Sequence, residues 1–309
     1  MVLGAVTHVG RVRKENQDFY CALLAPNTAP GIGGVLAVAD GMGGHQSGER
    51  ASQMVIAGVV RSLGKRKAGD PEPAGAPPSA SGGGRLDQIR DLVARVNGEV
   101  LAAAGTPENR GMGTTLSLAV VEGSTLSVGH VGDSRVYLYR NGSLAQLTTD
   151  HSWVAEEVAR GALSAEEARQ HPRRNLITRA IGIGPAVEPV AFAAELEAGD
   201  TILVCSDGLH GMVPDDQIAA VVAGKEPKEA AETLVDMANA AGGSDNVTAV
   251  VGRVTSVEPL PAAVWEAPGG RTVAAGRRRE SLWELTVLLS PFLLLRWLLR
   301  TLLKAFRRR

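Results

Sequence analysis

The chain has 309 residues, of which 44% are hydrophobic and 21% charged, a composition typical of a globular protein with a sizeable core. Its only two cysteines, Cys21 and Cys205, exclude a disulfide framework and a cysteine-built zinc or iron–sulfur site. The N-terminal segment has no apolar stretch of the kind found in secretory signals, so we expect a cytoplasmic protein.

The net charge of −1 hides an uneven distribution. Residues 277–309 carry eight Arg and one Lys against two Glu, a net charge of +7, which leaves −8 for the rest of the chain. Because nucleic-acid-binding proteins carry their basic surface on the folded domain, we expect no nucleic-acid partner. The pattern indicates an acidic body with a separate anchoring segment.

Strands and helices are predicted in a definite order. Runs rich in β-branched and aliphatic residues predict strands over 34–39, 114–123, 125–131, 135–140, 201–206 and 247–254. Apolar periodicity and terminal signals predict helices over 48–63, 86–104 and 227–242. Ser164 and Glu167 form a capping-box pattern that predicts another helix start. Strands in adjacent pairs with helices grouped between them indicate an α+β fold.

Two stretches rich in Pro, Gly and Ala have no apolar period. Residues 64–85 are predicted to be a disordered insertion, and residues 256–280 a flexible linker, because neither can bury enough surface to offset chain entropy. The predicted organisation is therefore a folded body over 1–255, the linker, and a C-terminal segment over 281–309.

Five aspartates lie where apolar runs begin or end: Asp18, Asp40, Asp133, Asp207 and Asp245. Any one of them alone fits a turn or a helix cap. Since the ends of neighbouring strands can meet at one edge of a sheet, the five together predict a shared site.

Carboxylates that converge repel one another unless a cation lies between them. Oxygen ligands favour Mg²⁺ or Mn²⁺ over zinc, and the six histidines show no paired zinc-ligand spacing. The predicted cofactor is therefore Mg²⁺ or Mn²⁺. We expect the missing side chain of Gly41 to let its own carbonyl and bound waters approach the metal.

Eight motifs carry a resemblance to a known family. In chain order they are VRKENQD, VADGMGGHQSGERAS, GMGTTLSLAVV, VGDSRVYLYR, LTTDHSW, RNLITRAIG, VCSDGL and GSDNVTAVV. Their order and spacing, from about residue 4 to residue 254, resemble the PPM/PP2C metal-dependent protein phosphatases, most of all the bacterial serine/threonine branch.

The resemblance implies a four-layer α-β-β-α sandwich, in which helices flank two antiparallel sheets and a two-metal site lies at one edge. Matching positions imply that Asp40 bridges the two metals and that the Gly41 carbonyl binds the second. Asp207 and Asp245 are implied to complete the shell of the first metal. Asp133 with Asp207 matches the pair that holds a third, weaker metal in bacterial members.

Two more residues match functional positions of the family. Asp18 matches an outer acid that orients metal-bound water, and Arg13 matches the phosphate-binding arginine. The position of Arg13 relative to Asn16 and Asp18 favours it over Arg11, with a plain surface cation as the alternative.

Two positions depart from the family pattern. Met42 stands where animal members carry a histidine that is their presumed general acid, and Gln17 replaces a common acid. His45 is then a candidate general acid; water on the third metal is an alternative donor, and a structural cap of the next helix is the alternative role for His45. Without an acid at position 17, the second metal relies on Asp40, Gly41 and waters.

The resemblance implies hydrolysis of phosphoserine and phosphothreonine in proteins, in opposition to a Ser/Thr kinase. We expect direct attack by a metal-bridging water, because no activated Ser or Cys nucleophile stands out in the sequence. Two alternatives are a catalytically silent module that binds phosphoproteins and a phosphatase with one dedicated substrate.

The segment 281–309 is rich in leucine and arginine. Its longest uncharged apolar run, 285–295, is shorter than the ~20 residues that a membrane-spanning helix needs. Basic residues recur at helical spacing beyond it, at 296, 300, 304 and 307. We predict an amphipathic helix on the anionic inner face of the cell membrane, with a tilted span or a helix that docks on a protein as the alternatives.

Overall fold

A computed structural model describes residues 1–44, 47–65 and 84–257. The chain divides after Leu260 into two units, and every described residue belongs to the first. The predicted insertion (64–85) and linker (256–280) lie almost entirely outside the described residues, and the predicted C-terminal helix (281–309) lies wholly outside them. Within the described ranges, none of the helices combines the length and apolar character that crossing a bilayer requires.

Eleven strands, seven α-helices and one 3₁₀-helix (Pro107–Asn109) account for the regular structure of the described ranges. The strands are β1 (Val2–His8), β2 (Asp18–Leu24), β3 (Gly34–Met42), β4 (Gly113–Thr114), β5 (Leu116–Glu122), β6 (Thr125–Val131), β7 (Arg135–Arg140), β8 (Ser143–Gln146), β9 (Val190–Glu195), β10 (Thr201–Cys205) and β11 (Val247–Arg253). The helices are α1 (Ser47–Leu63), α2 (Arg85–Ala103), α3 (Trp153–Ala159), α4 (Ala165–Gln170), α5 (Asp207–His210), α6 (Asp215–Gly224) and α7 (Pro227–Ala240).

The strands form two antiparallel sheets. One has the order β1-β11-β10-β7-β8, and the other has the order β2-β3-β5-β6-β9 with β4 paired to β3. Helices α1 and α2 pack against the second sheet, while α6 and α7 pack against the first. A third apolar cluster fills the space between the sheets. The predicted four-layer α-β-β-α sandwich is confirmed.

Strand β3 is apolar from its start as far as Ala39, and the structure shows why. Its residues alternate between two cores, with Val35, Ala37 and Ala39 on the side of α1 and Leu36 and Val38 on the side of the other sheet. A strand covered on both faces needs apolar side chains on both, so it reads as a continuous hydrophobic run.

The predicted helices and strands are present, with small differences at their ends. Strand β3 continues past the predicted end at residue 39 as far as Met42, because the short strand β4 pairs with Gly41 and Met42. The capping box of Ser164 and Glu167 is formed in both directions, at 3.2 Å and 2.7 Å. Strands β1, β2, β8 and β9 and helices α3, α5 and α6 were not predicted.

The core between the sheets gives a stability prediction. Leu36 is fully buried there, and its side chain lies against the backbone of Gly252 in the opposite sheet. Leu36→Ala should lower the free energy of unfolding by about 2–5 kcal/mol, through lost burial and a cavity. Urea unfolding of Val60→Ala, an exposed apolar position on α1, is the control, with a change of about 0.5 kcal/mol or less. Equal losses in both variants would contradict the assigned core.

Candidate metal centre

The first two of the five aspartates are direct neighbours across a strand pair. Asp18 begins β2 and lies opposite Asp40 in the register of β2 and β3. Side chains opposite one another in antiparallel strands have Cβ atoms roughly 4.5–5.5 Å apart, and like charges at such positions are destabilising. This edge of the second sheet therefore concentrates negative charge.

The other three aspartates lie at the matching edge of the first sheet. Asp133 is in the turn from β6 to β7, Asp207 directly follows β10 and Ser206, and Asp245 precedes β11. Because β10 is antiparallel to both β7 and β11, its end lies beside the beginnings of those two strands. His210 Nε2 lies 3.0 Å from the Asp133 carbonyl, so α5 also contacts that turn.

The electrostatics show that these carboxyls act on one another. Burial is the main cause of each raised pKa, and the neighbouring acids raise it further. The pKa of Asp207 rises to about 6, with Asp245 as a further cause. The pKa of Asp40 lies well above its ordinary value, with Asp18 and Asp207 adding to burial. Burial and then Asp207 also raise the pKa of Asp133. In the absence of a cation, the clustered carboxyls therefore keep their protons to higher pH than separate aspartates would, as expected for buried acids that repel one another.

The polar atoms of the cluster fit divalent cations. Asp18, Asp133 and Asp207 each have a buried Oδ1 atom without a hydrogen-bond partner, an uncommon state for a buried oxygen. Such oxygens are the ligands that Mg²⁺ and Mn²⁺ prefer. In the described part of the chain, no three acidic, histidine or cysteine side chains are already oriented so that they could hold one ion together. Closing the cluster on an ion therefore requires side-chain rotation.

Asp245 is one of the acids that would have to rotate to reach an ion, because its carboxylate is paired with Arg13. Arg13 Nη2 lies 2.7 Å from Asp245 Oδ2, and the side chains are 54% and 25% exposed. The hydrogen bond and the charge of Asp245 raise the pKa of Arg13, and Asp40 and Asp207 add to this effect. Ion pairs this exposed are worth only about 0–1 kcal/mol, so a metal or a phosphate can displace either partner. Arg11 instead donates to the Asn239 carbonyl at the end of α7.

Gly41 also has a structural reason that was not predicted. A Cβ atom at this position would lie 2.1 Å from the Gly48 carbonyl oxygen and 2.7 Å from that of Gln17. The space beside its Cα is filled by the backbone of α1 and of the loop before β2, rather than left open for waters. A glycine is required because two backbone segments meet there.

The comparisons with known proteins agree with this geometry. The family model described as "Protein phosphatase 2C" matches residues 13–248. The chain belongs to the protein phosphatase 2C family. Its match includes all five aspartates and Arg13, and it ends within β11.

Bacterial serine/threonine phosphatases are among the relatives that this chain matches. The serine/threonine protein phosphatase PstP of Mycobacterium tuberculosis is 39% identical over 251 residues, which are 81% of this chain and 44% of that protein. The chain thus spans less than half the length of this relative. The serine/threonine phosphatase Stp of Listeria monocytogenes is 36% identical over 79% of this chain and 92% of its own length. A crystal structure of the PstP catalytic domain in complex with two manganese ions matches 82% of this chain and 98% of its own, at 36% identity and a TM-score of 0.68.

Several supporting residues of the site were missed in the sequence. Asp18 Oδ2 accepts hydrogen bonds from Ser206 (2.6 Å) and Thr248 (2.7 Å). These bonds lower its pKa, yet burial outweighs them and the value rises to about 7. Ser206 directly precedes Asp207, and Thr248 lies three residues after Asp245. Hydroxyl residues are so common beside turns that this pattern alone does not identify either of them.

Asp40 is positioned through its backbone by two consecutive threonines. Thr115 Oγ1 accepts from the Asp40 N–H at 2.9 Å, and Thr114 Oγ1 donates to the Asp40 carbonyl at 2.9 Å. Thr115 Oγ1 also bonds Ser134 at 2.8 Å, beside Asp133. The GTT motif therefore ties two of the acid-bearing segments together. His45 lies outside the described residues.

The raised pKa of Asp207 predicts that its charge lowers the stability of the metal-free protein, whereas the same charge favours metal binding. An acid whose pKa is higher in the folded than in the unfolded chain makes stability fall as pH rises from about 4 to about 6. Asp207→Asn removes that charge, so in a chelator at pH 7.5 its melting temperature should exceed that of the wild type by about 2–4 °C, the effect of about 1 kcal/mol.

Thermal unfolding with and without Mn²⁺ measures both sides of this prediction. The wild type should gain stability from Mn²⁺ at pH 7.5 and much less at pH 5, while the variant should gain little at either. The variant's advantage in chelator should also shrink at pH 5. A variant less stable than the wild type in chelator at pH 7.5 would contradict the account.

Proposed function

We propose that this chain hydrolyses phosphoserine and phosphothreonine in proteins with Mg²⁺ or Mn²⁺. The observation that carries the proposal is the gathering of five aspartates, three with unpartnered buried oxygens, at one edge of a protein phosphatase 2C fold. The relatives that it matches bear the name of serine/threonine phosphatases, and PstP binds two manganese ions in its crystal structure.

The ligand assignment follows the same residues. Asp40 would hold both ions, with Asp207 and Asp245 on the first and the Gly41 carbonyl on the second. Asp133 with Asp207 would hold a third. A bound pair of divalent ions lowers the pKa of water and stabilises the attacking and leaving oxygens.

Arg13 would bind the phosphate of the substrate. Its guanidinium is half exposed and pairs with Asp245 at the acid cluster. A guanidinium donates two parallel hydrogen bonds to phosphate oxygens, which a lysine cannot do. Because the ion pair with Asp245 is exposed and weak, a phosphate can take over the guanidinium at small cost.

Asp18 would orient the attacking water. Its Oδ2 is occupied by the hydroxyls of Ser206 and Thr248, so only the buried Oδ1 is left to accept a further hydrogen bond. Holding one oxygen fixes the direction of the other. His45 remains the proposed candidate for protonating the leaving oxygen.

Direct attack of water fits the state of the cysteines. Burial raises the pKa of Cys21 to about 12 and that of Cys205 further, so neither thiol supplies a thiolate at neutral pH. The route through a cysteinyl-phosphate is therefore not open to this chain. The partners we propose are phosphorylated proteins and a cognate Ser/Thr kinase that phosphorylates them.

The test is release of inorganic phosphate from a phosphothreonine peptide with Mn²⁺. Asp207→Ala should lower kcat/KM by about 100-fold or more, because even residues behind metal ligands cost 10–100-fold when removed. Asp236→Ala, which removes an exposed aspartate of α7, should retain wild-type activity.

Two results would overturn the proposal. One is activity that survives complete chelation, and the other is equal activity of the wild type and Asp207→Ala. A protein that binds the phosphopeptide with Mn²⁺ but releases no phosphate would instead support a silent binding module.

We also propose that the C-terminal segment 281–309 attaches the enzyme to the inner face of the cell membrane. The support is its leucine-rich, arginine-flanked sequence.

Sedimentation with lipid vesicles tests this attachment. The full chain should pellet with vesicles that contain anionic lipid and less with neutral ones, whereas a chain ending at residue 276 should stay in the supernatant with its phosphatase activity intact. A truncated chain that still pellets would contradict the proposed attachment.

A further inference from the structure

The loop that carries Arg13 is anchored on both sides of an exposed middle. It connects β1 to β2 through residues 9–17, and Val12, Arg13 and Lys14 in its middle are exposed. Beyond its ion pair with Asp245, the direction of Arg13 therefore depends on where the backbone on either side of it is fixed.

Asn246 fixes both sides with one amide group. Its Nδ2 donates to the carbonyls of Val9 and Glu15, each at 2.9 Å, and its Oδ1 accepts from the N–H of Gln17 at 2.8 Å. The side chain uses both of its N–H donors in this way. Asn246 is only 5% exposed, so these bonds are sheltered from water.

A close backbone contact sets the same alignment. Gly10 has a φ of +84°, and a Cβ atom there would lie 2.2 Å from the Asp245 carbonyl oxygen. The Arg11 N–H also donates to the Gly243 carbonyl at 2.7 Å. The loop is therefore seated directly on the segment that presents Asp245 and Asn246.

We propose that Asn246 is a positioning residue that holds Arg13 in register with the acid cluster for binding phosphate. The inference rests on the proposed function, in which Arg13 binds the phosphate. Asp245 and Asn246 are consecutive, so one short segment presents a proposed metal ligand and fixes the phosphate-binding loop. The side-chain bonds of Asn246 all go to the backbone of the loop, so its proposed effect on phosphate is exerted through Arg13.

The physical effect is on the ordering of Arg13. With Asn246 in place, the exposed loop is short between its fixed points, and the guanidinium needs little further ordering to bind phosphate. Without it, the carbonyls of Val9 and Glu15 lose their shared donor, and phosphate binding must also order the loop.

A matched control lies elsewhere in the fold. Asn97 of α2 is 2% exposed and likewise clamps a loop, accepting from the Gly182 N–H at 2.8 Å and donating to the Gly184 carbonyl at 3.0 Å. Its loop does not carry Arg13. Asn97→Ala therefore removes the same kind of buried clamp without touching the phosphate-binding loop.

The test is calorimetric titration of inorganic phosphate into the full-length, Mn²⁺-loaded protein. Asn246→Ala should weaken phosphate binding by about tenfold, roughly the size of one charge-assisted hydrogen bond. The double variant with Arg13→Ala should bind phosphate no more weakly than Arg13→Ala alone, because the clamp acts through that guanidinium. Mn²⁺ affinity should be unchanged in Asn246→Ala, and Asn97→Ala should bind phosphate like the wild type.

Additive losses in the double variant, or an equal loss in Asn97→Ala, would overturn the inference. If the alanine variant does not fold, Asn246→Leu serves the same cycle, since it keeps the approximate size and adds no charge but loses both donors. The proposed function has its own separate readout, Mn²⁺-dependent hydrolysis of the phosphothreonine peptide by the wild type. If the wild type neither hydrolyses the peptide nor binds phosphate, both proposals fail. If it hydrolyses the peptide but the losses in the double variant are additive, only the proposed role of Asn246 fails.

Discussion

Mutual repulsion among buried carboxylates is the constraint on which the rest of the site depends. Asp18 and Asp40 face one another across two strands, and Asp207 lies close enough to raise the pKa of both Asp40 and Asp133. Such an arrangement is unfavourable in the protein alone at neutral pH. It becomes favourable when divalent cations lie between the acids, so the metal-free fold carries an electrostatic cost that metal binding removes.

The sandwich supplies the rigidity that this arrangement needs. Antiparallel pairing brings the beginnings and ends of strands from both sheets to one edge, and each sheet is covered by helices on its outer face. Residues behind the acids then fix individual groups: hydroxyls of Ser206 and Thr248 hold Asp18, and Thr114 and Thr115 hold the backbone of Asp40. The ion pair of Arg13 and Asp245 is exposed, and therefore weak enough to exchange partners.

Much of the fold was predictable from the sequence, because buried strands and capped helices have strong local sequence patterns. The run at β3 and the capping box at Ser164 are examples. Strands β1 and β2 were missed because neither shows the regular alternation of apolar and polar residues that marks a half-buried strand, although both are largely apolar. The reason for Gly41 and the clamp by Asn246 could not be predicted, since both depend on backbone segments far apart in the chain. The aspartates were identified because five at strand ends exceed what turns alone explain.

The most direct measurement of the central claim is anomalous X-ray diffraction from crystals of the protein grown with Mn²⁺. The account predicts two strong manganese peaks at the sandwich edge, with Asp40 contacting both and Asp207 and Asp245 turned toward one of them, away from Arg13. Crystals in which these three carboxylates contact no manganese, although the solution contains it in excess, would contradict the account.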